Sequence, residues 1–167
     1  GNTEGGLYAD EAAADYYAGA KAAGLDVGVY FYSQAITPQE AVEEAEFVLD
    51  AVKNWDVQMP LVYDWEYMGE DVRTANTDSR MLTDMAKAFC DTIEAAGYEP
   101  MIYFGRSQSM EMMNLEELTD YKFWLAMYSD RMTYPYRVDM WQYTDQGQIP
   151  GIEGYVDINL YFPPEEG

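Results

Sequence analysis

Strand-like and helix-like segments alternate along most of the chain, and this alternation limits the possible folds more than any other feature. β-Branched and aromatic runs between turn residues are typical of strands, whereas apolar residues three or four apart are typical of helices. Parallel strands need a crossover connection, usually a helix, so the alternation predicts a parallel α/β sheet. The four clearest predicted strands are VGVYFYS (27–33), PLVYDWE (60–66), PMIYFG (100–105) and FWLAMY (123–128).

Helix signals separate these strands. Thr37 is a good N-cap, Pro38 suits the first helical position and Glu40 completes a capping box. The acidic run EAVEEAE (40–46) in this helix is expected to form a solvated face. Cys90 lies in a later helical pattern among apolar residues, which favours a small core residue. The predicted helices cover residues 10–23, 37–53, from 76 or 77 to 97, and 109–118.

The last third of the chain changes character. VDMWQYT (138–144) and YVDINLYF (155–162) predict two strands joined by a Gly/Pro turn that is too short for a helix. The chain is therefore expected to form one domain, residues 1–167, with about six strands.

An open doubly wound sheet and a (β/α) barrel are both compatible with this pattern. Either fold binds ligands beyond the carboxyl ends of its strands. Polar and aromatic residues are concentrated at that end of several predicted strands, which favours a barrel-like site lined by aromatic rings. These residues are Tyr30, Tyr32, Asp64, Glu66, Tyr103, Tyr128, Gln142 and Tyr143.

The predicted strand at 60–66 ends in a pair of carboxylates. Asp64 and Glu66 are two residues apart, so strand alternation directs both side chains to one face. The neighbouring Trp65 and Tyr67 are large aromatic residues, and two like charges this close raise the pKa of at least one carboxyl. We expect the raised pKa at Glu66 and an ionised Asp64. From the residues alone, a solvated acidic pair at a strand end is the alternative.

Several kinds of chemistry are excluded by composition. The chain has no histidine and one cysteine, which excludes Ser-His-Asp and Cys-His catalysis, imidazole metal sites and thiolate metal clusters. The loop at 68–79 is acidic but lacks the spacing of a calcium-binding loop. We therefore predict neither a metal nor a cofactor, and acid–base chemistry falls to carboxylates, tyrosines and the few lysines.

The charge balance narrows the expected partners. Thirty-one acidic residues against nine basic ones give a formal net charge of −22. Nucleic acid phosphates and anionic lipids repel such a chain. No apolar run approaches the roughly 20 residues of a membrane helix. Neither nucleic acid nor membrane is an expected partner.

Five segments, in order and spacing, carry a resemblance to a known family. GVYFYS, PLVYDWE, FWLAMY, MWQYT and GYVDINLYF resemble the corresponding segments of glycoside hydrolase family 25, the lysozymes or N-acetylmuramidases. The likeness runs from about Gly5 to Phe162. It implies an irregular (β/α) barrel that cleaves the β-1,4 bond between N-acetylmuramic acid and N-acetylglucosamine. Peptidoglycan strands are then the partner, and the site of action is extracellular or in the cell wall.

The resemblance also implies roles for individual residues. In the family's Asp-x-Glu strand the glutamate is the proton donor and the aspartate assists, which corresponds to Glu66 and Asp64 here. The family's late Val-Asp-x-Asn segment places Asp157 in the active-site groove. The positions that shape the sugar groove correspond to Tyr30, Tyr103, Trp124, Tyr128 and Gln142.

One departure from the family pattern carries its own expectations. Members normally begin with a strand carrying Gly-Ile-Asp-x-Ser and then a second strand, and neither precedes the segment GNTEGGLY. The resemblance therefore implies an incomplete barrel, truncated at its N-terminus relative to the family, with a barrel that closes differently as the alternative. Open sheet edges invite pairing with another chain, so a homodimer or domain swap is expected.

Alternative functions follow from the same departure. A chain without the first-strand aspartate could be a non-catalytic remnant that binds glycans. A chitin-type glycosidase is less favoured, because its longer Asp-rich strand motif is absent. The net charge of −22 also disfavours approach to an anionic cell wall, unless another module compensates.

Overall fold

The computed structural model describes residues 1–163 of the chain. A small hairpin of β1 (Asn2–Thr3) and β2 (Gly6–Leu7) precedes the alternating elements. The helices are α1 (Ala13–Ala22), α2 (Pro38–Val52), α3 (Ser79–Ala95) and α4 (Arg106–Glu111), with a 3₁₀ turn at Leu115–Glu117. The main strands are β3 (Val29–Ser33), β4 (Leu61–Trp65), β5 (Pro100–Gly105), β6 (Lys122–Ala126), β7 (Met140–Gly147) and β8 (Val156–Tyr161).

No helix within residues 1–163 combines the length and apolarity that crossing a membrane requires.

The six main strands form one sheet in chain order, β3-β4-β5-β6-β7-β8. Neighbouring strands are parallel from β3 to β7, and β8 returns antiparallel to β7 after the predicted turn. The sheet curls into a half-barrel with α2 and α3 on its outer face. Of the two folds compatible with the sequence, the observed one is the irregular, incomplete (β/α) barrel and not the open doubly wound sheet, which confirms the expectation.

Local signals explain where the helices begin. Thr37 Oγ1 accepts a hydrogen bond from the Glu40 N–H at 3.2 Å, as predicted for the N-cap of α2. The Glu40 carboxylate accepts from the Ile36 N–H at 3.0 Å, one residue earlier than a standard capping box. Asp78 caps α3 by accepting from the Met81 N–H at 2.8 Å. The predicted start of this helix at 76 or 77 is therefore two to three residues early.

The predicted helix at 109–118 is wrong in its bounds. Helix α4 begins at Arg106, directly after β5, and ends at Glu111 before the separate 3₁₀ turn. Between the two, the Asn114 N–H donates to Thr83 Oγ1 at 3.0 Å and so ties the chain to α3. This contact between distant parts of the sequence breaks the helix, and the local pattern does not show it.

Strand register divides the side chains into two faces. On the outer face, one aligned row packs against the helices and is buried: Phe31, Tyr63, Ile102 and Phe123. The Tyr63 ring lies 5.2 Å from the Phe89 ring of α3, and Cys90 beside Phe89 is fully buried, as predicted. The next aligned row, one residue along each strand, faces the opposite way. It consists of Tyr32, Asp64, Tyr103 and Trp124.

The expected solvated face of α2 is wrong for one residue. Glu44 is fully buried, and its Oε1 accepts from Asn2 Nδ2 at 2.6 Å and from the Gln34 N–H at 3.1 Å. Burial raises the pKa of the Glu44 carboxyl. These bonds fasten the β1–β2 hairpin to the segment after β3. An acidic residue thus takes a core position because two distant donors meet it there.

Truncation of Phe89 tests the packing between α3 and the sheet. We expect Phe89→Ala to lower the free energy of unfolding by about 3–5 kcal/mol, because it removes a fully buried ring from the contact with Tyr63. Urea unfolding measures the change. The control is Glu94→Ala, at an exposed position of the same helix, with an expected change of about 0.5 kcal/mol or less. Equal losses in the two variants would contradict the packing described here.

Candidate active site

The inward-facing row of the sheet lines a cleft of about 280 Å³. The cleft lies toward the carboxyl ends of the parallel strands, where barrel folds bind their ligands. Its lining residues come from all six main strands and from the position directly after β4. They are Tyr30, Tyr32, Asp64, Glu66, Tyr103, Trp124, Gln142 and Asp157.

The structure brings together the eight residues that the family resemblance indicated. Seven of them line the cleft, and the eighth, Tyr128, contacts the cleft residue Gln142 through a hydrogen bond. Tyr32 also lines the cleft, although the resemblance did not select it. Its signal was its spacing from Tyr30, because residues two apart share one strand face. Tyr143 does not line the cleft, and its ring packs instead against Trp141 at 5.8 Å.

Asp64 occupies the most buried carboxyl position of the cleft. Its side chain is 7% exposed, at the fourth position of a five-residue strand that is buried throughout. Within residues 1–163, its Oδ1 has no hydrogen-bond partner. Burial, and secondly the charge of Glu66, raise the pKa of Asp64 to about 8. The expectation that Asp64 stays ionised is therefore wrong, since the carboxyl holds a proton at pH 7.

Glu66 lies directly after β4 and is partly buried. Burial raises the pKa of Glu66, and the negative charge of Asp157 raises it further. The raised pKa agrees with the prediction, although the neighbouring charge that contributes is Asp157 rather than Asp64. Of the two carboxyl groups, Asp64 is the more deeply buried. Asp64 and Glu66, both with raised pKa values, thus meet Asp157 in one cleft.

Hydrogen bonds fix the aromatic wall of the cleft. The hydroxyls of Tyr103 and Tyr128 both donate to Gln142 Oε1, each at 2.9 Å. The indole N–H of Trp124 donates to Asn159 Oδ1 at 2.8 Å. The Tyr103 and Trp124 rings meet nearly at right angles, with centroids 5.0 Å apart. These contacts fix the orientation of the Tyr103, Tyr128 and Trp124 side chains in the absence of a ligand.

The loop after the carboxylates is held at two points. It runs over 66–78, close to the predicted 68–79, without helix or strand. Near its start, the Trp65 carbonyl accepts a hydrogen bond from Gln108 Nε2 at 2.6 Å. Further along, Arg73 forms a two-bond ion pair with Glu40, at 2.6 and 2.8 Å.

The chemistry available in the cleft is that of carboxyl groups. No cluster of three His, Cys, Asp or Glu side chains suited to a metal ion occurs in the part of the chain that the structure describes. A carboxyl with a raised pKa, facing further carboxyls beside aromatic walls, is the arrangement that glycosidases use for acid-catalysed cleavage. Fold and site together define a (β/α)-barrel glycosidase.

The sequence matches the family model for glycosyl hydrolases family 25 over residues 2–152. The chain belongs to this family, which confirms the resemblance found in the sequence. An autolytic lysozyme of Clostridium acetobutylicum is 27% identical over 164 residues, which make up 95% of this chain and 46% of that protein.

Solved structures agree with the fold. The modular autolysin LytC from Streptococcus pneumoniae matches with a TM-score of 0.81 at 26% identity, covering 93% of this chain and 38% of that one. The same autolysin, in complex with a synthetic peptidoglycan ligand, matches equally well. The spore cortex lytic enzyme SleM of Clostridium perfringens matches in fold, with a TM-score of 0.77 at 22% identity over 95% of this chain and 56% of that one. The chain thus spans less than half the length of the autolytic lysozyme and of LytC.

Replacement of Asp64 by asparagine tests the buried proton. Because folding raises the pKa of Asp64 to about 8, the folded protein keeps a proton that the unfolded chain releases above about pH 4. Wild-type stability therefore falls as pH rises through this window. Asp64→Asn has no carboxyl group to titrate at this position. The free energy of unfolding of the variant, relative to that of wild type, should therefore increase by up to about 1.4 kcal/mol per pH unit between about pH 4 and 8.

Urea unfolding of both proteins across this pH range measures the difference. The reference for loss of a carboxylate at an exposed position is Asp26→Asn. A difference between Asp64→Asn and wild type that does not change with pH would contradict a protonated Asp64.

Proposed function

We propose that this chain hydrolyses peptidoglycan at the β-1,4 bond between N-acetylmuramic acid and N-acetylglucosamine. The observation that carries the proposal is the cleft in which Asp64, Glu66 and Asp157 meet an aromatic wall. Membership of glycosyl hydrolases family 25 supports it, as does the relation to an autolytic lysozyme. The similarity to LytC, which was solved with a synthetic peptidoglycan ligand, supports the choice of substrate.

In this proposal Glu66 is the general acid. Its raised pKa keeps a proton available, and its partial exposure at the end of β4 lets it reach the glycosidic oxygen. Glu66 donates this proton as the bond to the anomeric carbon breaks, and a water molecule later adds to that carbon. The leaving sugar departs as an alcohol, and the water replaces the lost proton.

The other two carboxyl groups have different tasks. Asp157 is negatively charged beside Glu66, so it stabilises positive charge that develops at the anomeric carbon. Asp64 is protonated and buried, and its Oδ1 is free to bond a polar group of the substrate, such as the 2-acetamido group. The aspartate of the Asp-x-Glu strand thus assists by hydrogen bonding in its neutral form.

The aromatic wall is assigned to sugar binding. The rings of Tyr30, Tyr103 and Trp124 border the cleft and present flat apolar surface to the CH face of a pyranose. Gln142 is 3% exposed and orients Tyr103 and Tyr128 through its side-chain oxygen. This group of side chains would place the glycosidic oxygen next to Glu66.

The proposed setting is extracellular or at the cell wall, where peptidoglycan lies. We assign residues 1–167 to one glycoside hydrolase domain. Its net charge of −22 opposes binding to an anionic wall at low salt, so hydrolysis by the isolated chain should increase when salt screens the repulsion.

Self-association through the sheet edges is the second part of the proposal. Among residues 1–163, β3 and β8 each pair with one neighbouring main strand, so each presents an unpaired edge. Leu160 and Phe162 near the β8 edge are 46% and 44% exposed, which adds apolar surface. Two copies of the chain could cover these edges by strand pairing or exchange.

Glutamine at position 66 tests the catalytic proposal. Glu66→Gln keeps the size of the side chain but cannot donate the proton, so the release of reducing sugar from peptidoglycan should fall at least about 100-fold. Far-ultraviolet circular dichroism should stay unchanged. The matched control is Glu46→Gln on the exposed face of α2, with wild-type rates.

Two results would refute the proposed activity. One is equal release by Glu66→Gln and wild type. The other is glycan binding without release in both, which is the behaviour of a non-catalytic remnant.

Light scattering after size-exclusion chromatography tests the edge pairing. We expect a dimer fraction that increases with protein concentration and with salt, since salt screens the repulsion between two highly acidic chains. Leu160→Lys should shift the population to monomer, because lysine on a strand edge opposes pairing. A monodisperse monomer at high concentration and high salt would count against pairing.

A further inference from the structure

The carbonyl that precedes Glu66 has a partner outside the sheet. The β4–β5 ladder ends at the pair Asp64 and Tyr103, one residue before the end of β4. In a parallel strand, alternate residues direct their backbone groups to the same side, and the Leu61 N–H donates to the carbonyl of Glu99, the residue just before β5. The Trp65 carbonyl, four residues on, therefore points toward the β5 side, beyond the last ladder pair.

A glutamine side chain takes the place of the next ladder donor. After Gly105 the chain turns into α4 instead of continuing as strand, and Gln108 of that helix donates its Nε2–H to the Trp65 carbonyl at 2.6 Å. Gln108 is partly buried, and the Trp65 ring is fully buried. Residue 65 is thereby fixed through both its side chain and its carbonyl.

We propose that Gln108 is a positioning residue for Glu66, which it acts on through the Trp65 carbonyl. This inference rests on the proposed function, because it assumes that Glu66 is the acid. Glu66 is the first residue of the 66–78 loop, and the Arg73–Glu40 ion pair holds that loop only seven residues later. Gln108 is thus the described side-chain restraint closest to the acid.

The expected consequence is catalytic rather than a matter of substrate affinity. A general acid must meet its oxygen within hydrogen-bond reach, and a displacement of about 1 Å can cost about 100-fold in rate. Gln108 does not line the cleft. Its loss should therefore lower kcat while KM, which depends on the aromatic wall, changes little.

Gln108→Met is the variant that tests this proposal, since methionine keeps the length of the side chain without the N–H donor. We expect kcat on solubilised peptidoglycan to fall about 10- to 100-fold, with KM within about threefold of wild type. Gln108→Asn keeps the amide but is one methylene too short to reach the carbonyl, so it should show the same split. The matched control is Gln39→Met at an exposed position of α2, with wild-type kcat and KM.

A readout independent of turnover separates this proposal from the proposed activity. Carbon-13 NMR of the glutamate carboxyls should show the pKa of Glu66 falling toward its ordinary value in Gln108→Met, because a looser Glu66 loses burial, the main cause of its raised pKa. The titratable groups that share its surroundings are Asp64 on β4, Asp157 on β8, and Tyr32, Tyr103 and Tyr128 on neighbouring segments.

The outcomes are distinct. If the wild-type protein does not hydrolyse peptidoglycan, the proposed activity is overturned. The NMR titration still decides whether Gln108 positions Glu66. An unchanged pKa of Glu66 in both Gln108 variants, or a fall in kcat that only follows a loss of folded protein, overturns the role of Gln108.

Discussion

The alternation of side chains along β4, between β3 and β5, is the constraint on which the rest of the structure depends. Tyr63 and Trp65 are fully buried in the same strand that carries Asp64 to the opposite face. Parallel register extends this division sideways, so each strand adds one residue to the helix-packed row and one to the cleft. A shift of one residue in β4 would send its carboxyl toward α3 and an aromatic ring into the cleft. Core packing therefore fixes the site.

This arrangement buries a carboxyl group without giving its Oδ1 a hydrogen-bond partner among residues 1–163. Burial of the ionised form would cost far more free energy than burial of the neutral acid, so Asp64 takes up a proton. The free energy of unfolding therefore falls as pH rises, because the folded state keeps a proton that the unfolded chain releases. Functional sites commonly lower the stability of the fold that carries them. Glu66, at the strand end, escapes full burial and keeps access to the cleft opening.

Much of the fold could be predicted from the sequence, because its signals are local. Strand bounds such as Pro100–Gly105 and the N-cap at Thr37 depend on adjacent residues. Cleft residues could be selected because alternation, strand ends and the family resemblance all indicate them. Features set by distant contacts could not be predicted: the burial of Glu44 against Asn2, and the neutral state of Asp64, which depends on how completely neighbouring strands exclude water.

At its carboxyl end, β4 presents a neutral, buried Asp64 beside a Glu66 of raised pKa. Carbon-13 NMR titration of the aspartate and glutamate carboxyls in the wild-type protein tests it most directly, with Asp64→Asn to assign the signal. We predict that Asp64 titrates near pH 8 and that burial and the charge of Asp157 keep the pKa of Glu66 above that of an ordinary glutamate. An Asp64 that titrates near pH 4 would contradict this prediction.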